Sequence, residues 1–460
     1  MSRRQWLALL LGGAALGACR PARPRYPVRL LGPDRELGHR LLQNNFPPPT
    51  DTRHTGTLVI GAGVAGLVAG WRLQGQGRRD FQVLELEQEA GGNSRSGRNA
   101  VSAFPWGAHY LTQPNPSNTE LLGLLDELKV IAHWDGGRPV YDEACLCAEP
   151  AERLLFYDRW QSGLLPRGLL SRSDRQQIDQ FFERIGTLKE ARSPDGRFRF
   201  DSPLSRSVFD AEFAVLDGQS FAAWLDAEGF TARPLRWYLD YCCRDEYGGL
   251  LAGVSAWAGL HYFAARRPQA ANADASTVLV WPQGNGWLVE RLAERLGPHL
   301  LGRQVAWHLA EHADHVEVWV YDAAAGHSVR WLAEEVVLAV PQHVAERLLP
   351  RVAFPAGGGQ APWLVANVTM RRPPASGPGE ELAWDNVRYG GASLGYVVAT
   401  HQVPQQYEGP TVVTLYHVLT EAPPAQARQQ LAARSAADWA AWVEAELETM
   451  HPGIGADISA

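Results

Sequence analysis

The chain has 460 residues, 45% hydrophobic and 20% charged, with a formal net charge of −7. That length buries a large core and divides into two domains or one discontinuous pair. The acidic balance, with no basic stripe or block, gives nucleic acid no footing as a partner, and lysine occurs only at Lys129 and Lys189.

The first nineteen residues, M-S-R-R-Q-W-L-A-L-L-L-G-G-A-A-L-G-A-C, read as a signal peptide too short to span a bilayer as an ordinary helix. Ser2-Arg3-Arg4-Gln5-Trp6-Leu7 resembles the twin-arginine signal, and Leu16-Gly17-Ala18-Cys19 resembles a lipobox. The expectation is a bacterial periplasmic or cell-envelope protein, moved by the twin-arginine export machinery and held to the membrane by a lipid on Cys19. Removing Arg3 and Arg4 with the signal takes the charge from −7 to −9. An ordinary signal with a coincidental Arg pair and Cys is the simpler alternative. Residues 20–51, rich in Pro and Arg, read as a partly extended tether.

The nucleotide domain is expected from about Thr52. Thr57–Ile60 is a β-branched run leading into Gly61-Ala62-Gly63-Val64-Ala65-Gly66; a helix follows to Leu73, and a second apolar run ends on Glu85, with Gly91-Gly92 beyond. This is a dinucleotide-binding βαβ unit. Gly61 permits the tight turn, Gly63 lets a pyrophosphate approach, Gly66 lets the helix pack closely, and Glu85 sits where it can accept ribose hydroxyls. The helix N-terminus faces the phosphates. A bare structural Rossmann unit is the alternative. Export of a folded protein favours a tightly held FAD over a nicotinamide coenzyme that must be resupplied outside.

Thr119–Val130 has helical spacing, and 115–275 reads as a helix-rich insertion with helices at Gln176–Leu188, Phe221–Ala227 and Arg233–Cys243. Val278–Leu296 reads as strand, Gly-bearing turn and helix. Arg303–Trp307 is a short strand, His315–Tyr321 with Ser328–Leu332 a hairpin, and Glu335–Pro341 a separate buried strand. A strand at Thr411–Tyr416 and a helix at Ala436–Met450 close the chain. The expected fold class is α/β: a Rossmann-like FAD/NAD(P)-binding domain from 52–115 and 275–345, and a discontinuous α+β substrate domain from 116–274 and 346–460.

V-I-G-A-G-V-A-G-L, V-L-E-L-E-Q-E-A-G-G-N-S, F-P-W-G-A-H-Y-L (104–111), P-Q-G-N-G-W-L (282–288) and V-V-L-A-V-P (336–341) together resemble the FAD-dependent amine oxidase superfamily. That family includes monoamine and polyamine oxidases, protoporphyrinogen oxidase and phytoene desaturases. The resemblance covers most of 52–345. It implies that Gly61, Gly63, Gly66 and Glu85 hold the ADP half of FAD. Gly91, Gly92 and Arg95 would pass the pyrophosphate and ribityl chain, Arg95 standing in for the arginine the family often has where Asn93 is found. Gly107, Ala108 and His109 would face the isoalloxazine, and the Val305 backbone would meet the adenine. The family's C-terminal flavin segment has no visible counterpart, so the flavin site is expected to be incomplete or completed differently. The lysine that many amine oxidases place near flavin N5 has no counterpart after Lys189.

The implied activity is hydride removal from a C–N or C–C bond of a small-molecule substrate, with electrons passed to oxygen or a quinone. A desaturase or isomerase acting on an isoprenoid or lipid, and a non-catalytic or truncated flavin-fold protein, are the alternatives. His261, Tyr262 and Arg244 are the candidates for chemistry, Arg244 through a pair with Asp245 or Glu246 that binds charge; a satisfied core histidine and a structural ion pair are the simpler readings. No metal site is expected: His308, His312 and His315 fall in or beside a strand, where their spacing does not converge. Cys145, Cys147, Cys242 and Cys243 read as buried thiols.

Overall fold

The computed structural model describes residues 25–168, 170–355, 359–403 and 408–460. The signal, the lipobox and Cys19 lie outside the described residues. The principal elements, in chain order, are α1 (Arg35–Gln43), β1 (Pro49–Ile60), α2 (Val64–Gly75), β2 (Phe81–Leu84), β3 (Glu152–Phe156), β4 (Arg159–Ser162), α3 (Arg172–Glu190), α4 (Phe221–Ala227), α5 (Arg233–Tyr247) and α6 (Ala256–Ala264). Then come α7 (Gly286–Leu296), β5 (Leu300–Leu301), β6 (Gln304–Glu311), β7 (Val316–Asp322), β8 (His327–Leu338), β9 (Trp363–Met370), β10 (Asp385–Arg388), β11 (Tyr396–Val398), β12 (Thr411–Val418) and α8 (Ala436–Met450).

A six-stranded sheet runs in the order β5-β2-β1-β8-β7-β6. Its β5, β2, β1 and β8 are parallel, and β7 and β6 continue antiparallel. β1 lies inside it and is covered on both faces, which is why Leu58, Val59 and Ile60 form a continuous apolar run rather than an alternating one. Leu67 of α2 packs with Val289, Leu292 and Leu296 of α7 over one face.

A second six-stranded sheet runs β9-β12-β11-β10-β3-β4. On one face Leu155, Val413 and Leu415 meet Trp439, Val443 and Leu447 of α8. On the other, Leu154, Val387, Tyr416 and Val418 meet Tyr241 and Cys242 of α5. Asp457 and Ala460 accept backbone hydrogen bonds from Arg371 and Thr369 at the edge of this sheet. The helices α3 to α6 share a core of Phe181, Phe221, Leu225, Leu235, Leu239 and Leu260. Their starts are written locally: a Ser171–Asp174 capping box opens α3, Ser220 caps α4 and Ser255 caps α6. Gly248, in the left-handed region, ends α5.

Three expectations are corrected. The tether contains a helix, α1, capped by Asp34 and packed through Leu37 and Leu41. The helix-rich insertion also carries strands that the sequence reading did not place: β3 and β4 belong to the second sheet, because β3 finds a parallel partner in β10, far away in sequence. The hairpin strand and the separate strand expected over 328–341 are one strand, β8, paired with β1 along its whole length.

Candidate functional site

β1 ends at Ile60 and the chain turns at Gly61, with φ of 99°. A Cβ there would come within 2.5 Å of the Ala339 carbonyl oxygen, and one on Gly66 would overlap the Gly61 carbonyl oxygen. Packing therefore dictates both glycines. Gly63 differs: its backbone (φ −66°, ψ −178°) suits any residue, and nothing lies within 4 Å of its Cβ position. It borders open space in front of α2, whose N-terminus has no side-chain cap and so presents N–H groups to an acceptor. Gly91 bridges to Gly63, and its N–H donates to the Ala62 carbonyl at 2.8 Å.

Glu85 is held at the end of β2. Its Oε2 accepts the Ala62 N–H at 2.9 Å and its Oε1 the Glu87 N–H at 3.0 Å. Arg95 lies 3.5 Å from Glu87, and its Nε is buried without a partner. An orphaned guanidinium nitrogen beside an open glycine cradle fits a bound pyrophosphate. Val305, at the start of β6, follows Gln304, whose N–H donates to the Glu85 carbonyl at 2.7 Å. The chain thus builds a Rossmann-like unit with open, glycine-lined space before the α2 N-terminus.

Gly107, Ala108 and His109 are set by the loops around them. The Ala108 N–H donates to Asn93 at 3.0 Å, and its carbonyl accepts the Asn285 N–H at 3.0 Å. The Tyr416 hydroxyl donates to the Gly107 carbonyl at 2.9 Å, and its ring stacks on His109 at 4.4 Å. Trp384 tilts against His109 at 5.5 Å and stands edge-on to Tyr110 at 6.4 Å. The Tyr110 hydroxyl is 3.4 Å from Asp245 Oδ2. Arg266 lies 4.2 Å over the Tyr262 ring and 3.6 Å from Glu246. Asp385 and Glu152 face each other in the parallel register of β10 and β3.

His109, Tyr110, Tyr262, Asp245 and Asp385 are enclosed by protein yet keep accessible surface. Those two facts together mark an enclosed concavity rather than an open outer surface. The cavity is acid-rich. Burial, with Glu246 beside it, pushes the Asp245 carboxyl up to about 6. Burial, then Glu152 and Asp245, holds Asp385 well above the carboxylate range, and burial raises Glu152. Burial opposes the Arg266 charge, and Tyr262, Tyr110 and Glu246 more than restore it. Burial also pulls His109 down to about 4, so its ring is neutral. A surface cleft of about 520 Å³, lined by Trp71, Arg72, Glu127 and Arg295, lies at the C-terminal end of α2 and shares none of these groups.

Of the three residues singled out for chemistry, only Tyr262 reaches this cavity. His261 Nε2 bonds the Asp201 carbonyl at 2.9 Å and its ring stacks on Trp257 at 4.7 Å, which ties it into the helical scaffold. Arg244 lies 3.3 Å from Asp240, one helical turn back, not against Asp245 or Glu246. Trp384, Tyr416, Asp385 and Glu152 were not legible as site residues. Cys145, Cys147, Cys242 and Cys243 are buried and free. Among the described residues no group of three His, Cys, Asp or Glu converges to hold a metal, and His312 merely stacks on His315 at 4.6 Å.

Residues 59–128 match the NAD(P)-binding Rossmann-like domain. No curated protein matches the chain. Among solved structures, putrescine oxidase bound to putrescine is 16% identical, with a TM-score of 0.59 over 88% of this chain and 84% of that one. Cyclohexylamine oxidase from Brevibacterium oxydans is 15% identical, with a TM-score of 0.59 over 88% and 83%. A fatty acid isomerase from P. acnes is 15% identical, with a TM-score of 0.54 over 82% and 81%. At these identities the likeness establishes the fold: a mixed α/β chain with a Rossmann-like domain, built as amine oxidases are built.

Proposed function

We propose that this chain is an FAD-dependent oxidoreductase that removes a hydride from the C–N bond of a small cationic amine and passes electrons to oxygen or a quinone. The acid-rich, aromatic-walled cavity against Gly107-Ala108-His109 carries this reading. Aromatic faces and an enclosed carboxylate together hold an ammonium group. At Asp245, burial and Glu246 outweigh the Arg266 and Arg244 charges and push the carboxyl up to about 6, and an arriving ammonium would favour its ionised form. The neutral His109 adds no charge to repel that cation. When bound, FAD supplies the hydride acceptor. Glu85 would accept ribose hydroxyls, the α2 N-terminus and Arg95 would face the pyrophosphate, and Tyr416, Trp384 and Tyr110 would orient substrate and exclude water. No lysine follows Lys189, so orientation of the amine falls to Asp245 and the aromatic wall. In a panel of substrates, peroxide or aldehyde should be released from an amine. Flavin bleaching by a fatty acid or isoprenoid with every amine inert would establish the alternative, a lipid desaturase or isomerase, whose support is the fold shared with the fatty acid isomerase.

We also propose export through the Arg3-Arg4 signal and anchoring through Cys19, supported by their register in the first nineteen residues. Arg3-Arg4→Lys-Lys should leave the protein in the cytoplasm; normal appearance in the envelope would remove the twin-arginine route.

A further inference from the structure

The segment Tyr26–Phe46 is laid against the adenosine end of the dinucleotide site. One end is tied to the second sheet's helix layer, where the Tyr26 hydroxyl donates to Glu444 of α8 at 2.9 Å. The middle is tied at Asp34. Its N–H donates to Glu87 Oε1 at 2.7 Å, and its Oδ2 accepts from Arg303 Nη1 at 2.6 Å. The Leu37 N–H and Arg303 hold the Asp34 carboxyl below its ordinary value. Beyond it, Leu37 and Leu41 bury themselves with Val305, and Phe46 stacks on Trp307 at 5.7 Å.

The two residues that Asp34 grips are neighbours of those expected to meet the adenosine. Glu87 donates its N–H to the Glu85 carboxylate at 3.0 Å, and its own carboxylate faces Arg95 at 3.5 Å. Arg303 donates its N–H to the Glu87 carbonyl at 2.9 Å and stands two residues before Val305. One acid on the N-terminal segment therefore sits behind the ribose ligand, the pyrophosphate arginine and the adenine strand together. All three groups of the tie are partly shielded from water, at 23% exposure for Asp34, 17% for Glu87 and 30% for Arg303.

We infer that Asp34, with α1 behind it, is a positioning residue for the adenosine half of the cofactor: the N-terminal segment is a clasp that slows cofactor release. This rests on the FAD reading. The test uses the full chain loaded with FAD and follows release after dilution by the rise in flavin fluorescence, beside the melting temperature of the flavin-stripped protein. Asp34→Ala should release FAD about tenfold faster, with the melting temperature of the stripped protein changed little. Asp34→Asn keeps an acceptor for the Leu37 N–H and loses the charge facing Arg303, so it should fall between Asp34→Ala and the parent. Leu31→Ser, in the exposed part of the segment, should release FAD at the parent rate. Release by Asp34→Ala within twofold of the parent, or a fall in stripped-protein stability that accounts for the faster release, would overturn the clasp. A parent chain that takes up no FAD would overturn the FAD reading and the clasp with it.

Discussion

Gly63→Val should give a folded protein without flavin. The backbone at Gly63 is one that valine adopts without strain, and no atom lies within 4 Å of the new Cβ, so the branch is accepted by the surrounding backbone. What the valine fills is the space before the α2 N-terminus, where a pyrophosphate would need the bare backbone. Affinity for FAD should fall on the order of a hundredfold, about 3 kcal/mol, while circular dichroism and melting of the stripped protein stay as in the parent. Gly66 supplies the contrast. A Cβ there overlaps the Gly61 carbonyl oxygen, so Gly66→Ala should unsettle the turn itself. Retention of flavin by Gly63→Val would show that the phosphates lie elsewhere.

Asp245→Asn should raise KM for a cationic amine about a hundredfold, the order expected when one partner of an enclosed charge pair is removed. The carboxyl lies 3.4 Å from the Tyr110 hydroxyl and feels the charges of Glu246, Arg266 and Arg244 at longer range; burial and Glu246 together place its titration near 6. Binding needs the ionised form. In the parent, KM should therefore be level above about pH 6 and rise as pH falls through that value; in Asp245→Asn this limb should vanish. The same titration acts with opposite sign on the free protein. A carboxyl raised on folding takes up its proton earlier in the folded state, so this group adds stability as pH falls from about 6 toward its ordinary 3.8. A KM profile unchanged by Asp245→Asn would put the ammonium elsewhere, with the enclosed Asp385 as the next group to test.

The nucleotide cradle is local in sequence, and this made it legible. Thr57 to Gly92 carries strand, turn, helix and acid in one stretch, and the geometry of Gly61 and Gly66 follows from it directly. The cavity wall is not local. Glu152 and Asp385 become neighbours only through the parallel register of β3 and β10, and neither stands in a motif. Tyr416 reads as an ordinary strand aromatic, and Trp384 falls in no expected element, until β10 and β12 bring them to His109. Helix α1 was hidden by the prolines on both sides of it, which made nine helical residues look like tether. His261 looked available because sequence does not show that its ring nitrogen is taken by the Asp201 carbonyl. Arg244 has acids on both sides in sequence, and helical spacing gives it to Asp240.

The visible absorption spectrum of purified residues 20–460, with the released cofactor identified by chromatography, tests the central claim most directly. The expected result is a flavin spectrum at one FAD per chain. A folded, colourless protein, or one that releases a nicotinamide dinucleotide, would contradict it.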